Sequence, residues 1–254
     1  MDDLEAAALA IADAERAVSM TGAGVSTASG VPDFRSEGGL WDRYDPDDFH
    51  VGRFERDPAA FWERWVEVQD EVFGNADVRP NPAHEALAGL EAAGHLDAVV
   101  TQNVDGLHQA AGSDAVIELH GTHDRVECRR CGRKSGAASA VERAREGERP
   151  PRCDACSGVL KPASVLFGET LPEAALIRAH VHAEKCDAFL VAGSSLTVEP
   201  AASLPETAAG TGATLIVVND EPTPHDGLAT CVFRDDVTAV LPRIREVVDE
   251  VTGG

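Results

Sequence analysis

Several groups of residues in this chain could do chemistry by their type and spacing. Two C-x-x-C pairs, CRRC at Cys128–Cys131 and CDAC at Cys153–Cys156, are separated by 21 residues. Each pair sets two thiolates on one tight knuckle, and Cys128, Cys131, Cys153 and Cys156 together complete a tetrahedron around Zn²⁺ with no position open to substrate. The expected site is structural, and such binding contributes on the order of 10–16 kcal/mol to folding its module. A redox role is the alternative, but a thioredoxin-like centre uses a single C-x-x-C. Cys186 and Cys231 stand alone beside apolar runs and read as buried thiols.

A second group is the stretch TGAGVSTASGVPDFRS over residues 21–36. After an apolar run, Gly22, Ala23 and Gly24 form a turn whose missing side chains let backbone N–H groups approach a pyrophosphate at a helix start. Thr27 stands where the G-x-G-x-x-G fingerprint needs its third glycine, so an ordinary strand-to-helix turn is an equal reading of these residues alone. The continuation through Gly30, Pro32, Asp33, Phe34 and Arg35 sets an acid, a ring and a guanidinium directly after the cradle.

Further polar groups fall at the ends of apolar runs, where ligands sit in open α/β sheets. Gln102, Asn103 and Asp105 in TQNVDGLH suit hydrogen bonds to a polar ring. His120 in VIELHGT has a side chain that titrates near neutrality and suits a general base, with a structural histidine as the plain alternative. Gly193, Ser194 and Ser195 in GSSLTVEPAA suit a second phosphate or a ribose, and Asn219 in VVND suits a ribose. Two ordinary β-to-α turns would read the same way.

Positioning these groups requires a sheet. Short apolar runs at 17–21, 98–101, 116–119, 189–192 and 215–218 read as parallel strands buried on both faces. Segments of helical period at 2–14, 82–93, 172–181, 200–209 and 237–251 alternate with them, which predicts a doubly wound α/β fold. Two stretches break the rhythm. Residues 36–80 hold Trp41, Trp62 and Trp65 on helical-looking segments, and residues 122–162 hold the four paired cysteines. The α/β alternation thus occupies 1–35, 81–121 and 163–254, and 36–80 and 122–162 interrupt it.

The 254 residues carry 44 acidic and 22 basic side chains, a formal charge of −22. An excess of this size repels itself at low salt and is relieved where salt shortens the screening length to roughly 3 Å at 1 M. That predicts a salt-rich, halophilic interior and disfavours direct nucleic-acid binding. The first residues, MDDLEAAALAIADAERA, carry acids where a secretory signal needs positive charge, and no apolar run approaches the ~20 residues of a membrane span. A cytoplasmic protein without membrane contact is expected.

Taken in order, GAGVSTASGVPDFR, TQNVDGLH, the His120-Gly121 pair, the two cysteine pairs, KPASVLFGETLP, GSSLTVEPAA and IVVN resemble the sirtuins, the NAD-dependent protein deacylases, across about residues 5–250. The resemblance implies a Rossmann-like parallel-sheet large domain over 1–35, 81–121 and 163–254, with a small domain formed by a helical insertion at 36–80 and a zinc ribbon at 122–162. It implies NAD as co-substrate, one structural Zn²⁺ per chain, and acetyl-lysine proteins or peptides as partners, chromatin-associated ones among them. It implies that Ala23, Ser26 and Arg35 surround the pyrophosphate and nicotinamide ribose, with Asp33 and Phe34 near the nicotinamide. Gln102, Asn103 and Asp105 would complete those pockets. Ser194, Ser195 and Asn219 would face the adenosine half, and the backbone of Cys231 the adenine.

By the same resemblance, a substrate strand lies between Val165–Glu169, including Gly168, and Ser195–Glu199. Its acyl-lysine would enter a tunnel lined by Phe34, Phe49, Val165, Phe167 and Val198, and His120 would act on the ribose hydroxyls. The implied products are free lysine, nicotinamide and O-acyl-ADP-ribose. The only tyrosine, Tyr44, is followed by Asp45, Pro46 and Asp47 rather than by the Tyr-x-x-Arg pair of sirtuins that prefer acidic acyl groups, which favours acetyl. Ser164 departs from the paired valines common ahead of Phe-Gly-Glu and leaves chain length open. Mono-ADP-ribosyl transfer and longer-chain deacylation are the neighbouring activities. A DNA-binding ribbon carrying Arg129, Arg130, Arg133 and Lys134 is the alternative of another class.

Overall fold

The computed structural model describes residues 2–34, 38–74 and 77–253. Among them nine strands form two sheets: β1 (Ala17–Thr21), β2 (Ala98–Thr101), β3 (Val116–Glu118), β4 (Arg125–Cys128), β5 (Lys134–Gly136), β6 (Leu160–Pro162), β7 (Ala188–Ala192), β8 (Thr214–Val218) and β9 (Cys231–Phe233). The described α-helices are α1 (Asp3–Ala12), α2 (Leu40–Arg43), α3 (Val51–Arg56), α4 (Pro58–Gln69), α5 (Pro82–Ala92), α6 (Leu107–Ala111), α7 (Ala138–Arg145), α8 (Glu173–Lys185), α9 (Leu204–Gly210) and α10 (Val237–Thr252).

The larger sheet is parallel with order β3-β2-β1-β7-β8-β9. Counting its strands alone, this is the 3-2-1-4-5-6 order of the dinucleotide-binding fold, and the order reverses between β1 and β7. The strands are largely apolar because both faces are covered. Ala17, Val99, Leu190 and Ile216 pack with α1, α5 and α10 residues on one face, while Val18, Val100, Phe189 and Val217 pack with residues of α8 and α9 on the other. β9 was not foreseen from sequence. Its three residues, paired to β8 at one edge, are too few to show a period.

The smaller sheet is antiparallel with order β5-β4-β6. Phe54, Phe61, Trp62 and Trp65 from α3 and α4 share one core with Val126, Val141 and Leu160 of the ribbon, and Trp62 Nε1 donates to Leu160 O at 2.8 Å. The two interruptions of the α/β rhythm therefore fold together as one small domain. Its segments leave the large domain at the ends of β1 and β3, which carry the loops of chemical interest.

Candidate functional site

The carboxyl ends of the parallel strands present His120, Gln102–Asn103, Gly22–Gly24, Gly193–Ser195 and Asn219 in that order along the sheet. With strands about 4.8 Å apart, four intervals separate His120 from Asn219, or roughly 19 Å. This row suits an elongated ligand lying across the switch point.

Gln102 organises one end of the row. Its carbonyl accepts from His120 Nδ1 at 2.8 Å, and its side-chain amide donates to Ser194 Oγ at 2.9 Å. A carbonyl only accepts, so Nδ1 carries the proton and Nε2 keeps its lone pair. Burial, opposed by this hydrogen bond, pulls the His120 pKa below its ordinary value. Next to it, Gly121 has φ +70°, and a Cβ there would lie 2.1 Å from Ala163 O. The glycine lets the chain leaving His120 pass against the segment that follows the ribbon, and Val165 N returns a bond to His120 O at 2.8 Å.

Behind the first loop lies a polar network. Ser26 Oγ donates to Asp105 Oδ2 at 2.7 Å, and Asn103 Nδ2 donates to Ser26 Oγ at 3.0 Å and to Gly22 O at 2.9 Å. His84 and His108, unremarked in the sequence, lie beneath it with ring centroids 4.8 Å apart. His84 Nε2 is 3.5 Å from Ser26 Oγ, and His108 Nε2 is 2.9 Å from Thr21 Oγ1. Burial lowers His84 to about 4, partly offset by Asp105, and burial followed by the neighbouring His84 lowers His108 to about 3. Their sequence signal was faint: a histidine on helix α5 and another on α6 differ by 24 positions, and only the fold brings them together.

The glycine turn works differently from expectation. The N–H of Gly22 donates to Ala192 O at 3.1 Å and that of Gly24 to Gly193 O at 2.9 Å. A Cβ at Gly22 would lie 2.7 Å from Gly193 O, and one at Gly24 2.9 Å from Gly193 Cα. The missing side chains thus let two strand-end loops interlock, and these two amides are committed to that contact rather than to a phosphate. Among the described residues, the amides of Ala23, Ser194 and Ser195 have no such backbone acceptor. Leu196 closes the second loop at φ +53°, a conformation that a bulky residue adopts only at a cost.

Other expected residues are placed as follows. Asp33 and Phe34 follow the first loop, with Asp33 O accepting from Leu40 N and Phe34 O from Trp41 N; Arg35 lies outside the described residues. Trp41, expected from sequence only as part of a helical-looking segment, brings Phe34, Phe49 and Phe167 together at centroid distances of 5.4, 5.7 and 5.6 Å. The Phe167 main chain pairs with Phe49 O and Val51 N, and Gly168 at φ +81° passes beside the His50 ring. Val198 is half-buried at the far loop, and Glu169 Oε2 accepts from Leu166 N at 2.9 Å. Asn219 Nδ2 donates to Glu221 O at 2.8 Å, while its main chain meets Phe233 O and the Arg234 guanidinium. Cys231 stands apart from that contact. It begins β9 with its thiol in the apolar core, so Phe233 and Arg234, not Cys231, flank Asn219.

The four paired cysteines converge, with all four Sγ atoms within 4.8 Å of one another. The pairs Cys128–Cys156 and Cys131–Cys153 are 3.4 and 3.9 Å apart, near the roughly 3.8 Å that a Zn–S length of about 2.3 Å gives in a tetrahedron. Hydrogen bonds from the Cys131 and Arg130 amides pull the Cys128 thiol down to about 6, towards the thiolate that a metal needs. A Cβ at Gly158 would meet Cys128 Sγ at 2.7 Å, so glycine is needed to close the second knuckle. The cluster suits one structural zinc.

Residues 22–200 match the Sir2 family profile. The chain belongs to the Sir2 family. Among its relatives, the NAD-dependent protein deacetylase of Haloarcula marismortui is 54% identical over 246 residues, covering 96% of this chain and 94% of that protein. The NAD-dependent protein deacylase 2 of Archaeoglobus fulgidus is 46% identical over 249 residues, covering 97% and 96%. A solved structure concerned with the mechanism and regulation of Sir2 enzymes matches with TM-score 0.87 and 45% identity, covering 98% of this chain and 99% of that one. A Sir2–p53 peptide–NAD+ complex matches with TM-score 0.83 and 38% identity, covering 96% of each chain. The strand-end row and the cysteine cluster of this Sir2 protein thus lie in a fold shared over its whole described length.

Proposed function

We propose that this Sir2 protein is an NAD-dependent protein-lysine deacetylase that releases nicotinamide and O-acetyl-ADP-ribose, with His120 as its general base. The observation that carries the assignment of the base is the 2.8 Å bond from His120 Nδ1 to the Gln102 carbonyl, which fixes the tautomer and leaves Nε2 able to take a proton. Bound NAD supplies an electrophilic ribose carbon from which nicotinamide departs. His120 would then accept the proton of a ribose hydroxyl at Nε2. Ser26, Asn103 and Asp105 would hold the ribose end, Gln102 would orient both His120 and Ser194, and Asp33 and Phe34 would exclude water beside the nicotinamide. Ala23, Ser194, Ser195 and Asn219 would hold the remainder of the dinucleotide.

The acyl-lysine would pass between Phe34, Phe49, Val165, Phe167 and Val198, its main chain adding to Val165–Glu169 and Ser195–Glu199. Acetyl is the favoured acyl group. The Tyr44 hydroxyl donates to Glu71, which also pairs with Arg43, so an acidic acyl group near this corner would meet a carboxylate rather than a free guanidinium. A second reading, removal of longer chains, is favoured by a 40%-identical Sir2Af2 structure bound to a myristoylated histone peptide.

We further propose the boundaries 1–35, 81–121 and 163–254 for the large domain, with 36–80 and 122–162 forming the small one. The charge of −22 supports a halophilic, cytoplasmic setting and substrates met as proteins rather than as free DNA. No described helix is long and apolar enough to cross a membrane. The deciding assay incubates acetylated and myristoylated peptides with NAD in molar KCl and follows peptide, nicotinamide and O-acyl-ADP-ribose by mass spectrometry. Deacetylation by the wild type and its loss in His120→Ala are expected. Equal turnover by the two proteins would reject the role of His120, and ADP-ribose attached to protein would indicate transfer instead.

A further inference from the structure

Lys161 is one of only three lysines in the chain, and its side chain is nine-tenths buried. Its ammonium group donates to Pro162 O at 3.0 Å and Ser164 O at 2.8 Å, and pairs with Glu169 Oε2 at 2.9 Å. Three donors meet three acceptors, so no proton of the buried ammonium is left unpaired. Pro162 ends β6, Ser164 and Glu169 belong to the segment that leaves it, and Glu169 Oε2 also takes the Leu166 amide at 2.9 Å. Lys161 and Glu169 therefore tie the two ends of a short arch together.

The arch carries the two residues that face the site. Val165 N bonds to His120 O at 2.8 Å, and Phe167 N bonds to Phe49 O at 3.1 Å. Lys161 itself is paired in β6 opposite Glu127, one position from the Leu160–Cys128 pair that reaches the cysteine cluster. A buried ion pair is a weak source of stability, since desolvating both charges offsets most of their attraction, and its better attested use is to select one conformation among several. We infer that Lys161, through Glu169, is a positioning residue that holds the Val165–Phe167 arch in the shape that receives the acyl-lysine peptide.

This inference rests on the deacetylase reading, and the experiment separates the two. Hydrogen exchange of the full-length, zinc-loaded protein without substrates reads the arch directly. In Lys161→Met the Val165 and Phe167 amides should exchange about tenfold faster or more, while those of β1 and β2 keep their protection. In steady-state assays of the same variant, KM for acetyl-peptide should rise about tenfold while KM for NAD stays within about twofold. Glu169→Gln, which keeps an acceptor for Leu166 N but removes the charge, should give a smaller shift in the same direction and carries the test if Lys161→Met does not fold. Unchanged arch exchange, or an equal rise in both KM values, overturns the inference. A wild type that binds acetyl-peptide and NAD but does not deacylate would instead overturn the activity while the exchange result stands.

Discussion

At His120 burial and hydrogen bonding oppose each other, and burial wins. The imidazole is thereby kept neutral to a lower pH than a free histidine. We predict that the acid limb of the kcat/KM profile falls below the ordinary 6.5, and a limb at higher pH would show that the Gln102 bond, not burial, dominates. His84 and His108 make a stability prediction of the same sign. Both are lowered, to about 4 and about 3, whereas unfolded they titrate near 6.5. Between these values the unfolded chain holds more protons, so stability is complete above about 6.5 and is lost as pH falls towards the folded values. Replacing His108 with Gln should flatten the pH dependence of denaturant stability by up to about 1.4 kcal/mol per pH unit in that window. Ser164 offers a gain in stability, because its buried hydroxyl has no partner among the described residues. Ser164→Ala should raise stability by about 1 kcal/mol in urea unfolding, because an unpaired hydroxyl is removed.

Elements meet at the glycine loops and at the ribbon. The interlock of Gly22, Gly24 and Gly193 sets the ends of β1 and β7 against each other, and Gly193 has φ +58° with Val25 N only 2.4 Å from where a Cβ would stand. Gly193→Ala must displace one loop or the other. A loss of about 1–3 kcal/mol and a raised KM for NAD are expected, with thermal unfolding and steady-state kinetics as the readouts. The ribbon holds its sheet through four thiolates rather than through a core of its own, because its packing surface is shared with α3 and α4. The isolated protein should contain one zinc per chain by elemental analysis. Its removal by a chelator should cost protection in β4, β5 and β6 while leaving the parallel sheet largely folded, since zinc supplies on the order of 10–16 kcal/mol to modules of this kind.

Over the whole molecule, the acid excess acts on stability rather than on fold. A charge of −22 repels itself over distances that salt shortens from about 10 Å at 0.1 M to about 3 Å at 1 M. The thermal midpoint should therefore rise between 0.1 and 2 M KCl, with most of the gain below about 1 M if screening alone is responsible. The basic cluster on the ribbon does not offset this excess. Arg129 lies 3.9 Å from Glu55, Lys134 lies 3.8 Å from Glu127, and Arg130 donates to Cys156 O. Arg129 and Lys134 thus each sit beside a carboxylate that competes with a phosphate for them.

The sequence alone determined what depends on local spacing. The cysteine tetrad, five of the six parallel strands, the alternation with helices and the strand-end positions of His120, Gln102 and Asn219 all follow from residues close together in the chain. Tertiary structure decided what depends on distant segments sharing space. It committed the Gly22 and Gly24 amides to the β7 loop, set His84 against His108, and joined Phe34, Phe49 and Phe167 through Trp41. It also paired Lys161 with Glu169 across an arch whose purpose no spacing reveals. A period or motif records how neighbouring residues repeat, whereas desolvation, close approach and hydrogen-bond pairing arise only once the chain has folded back on itself.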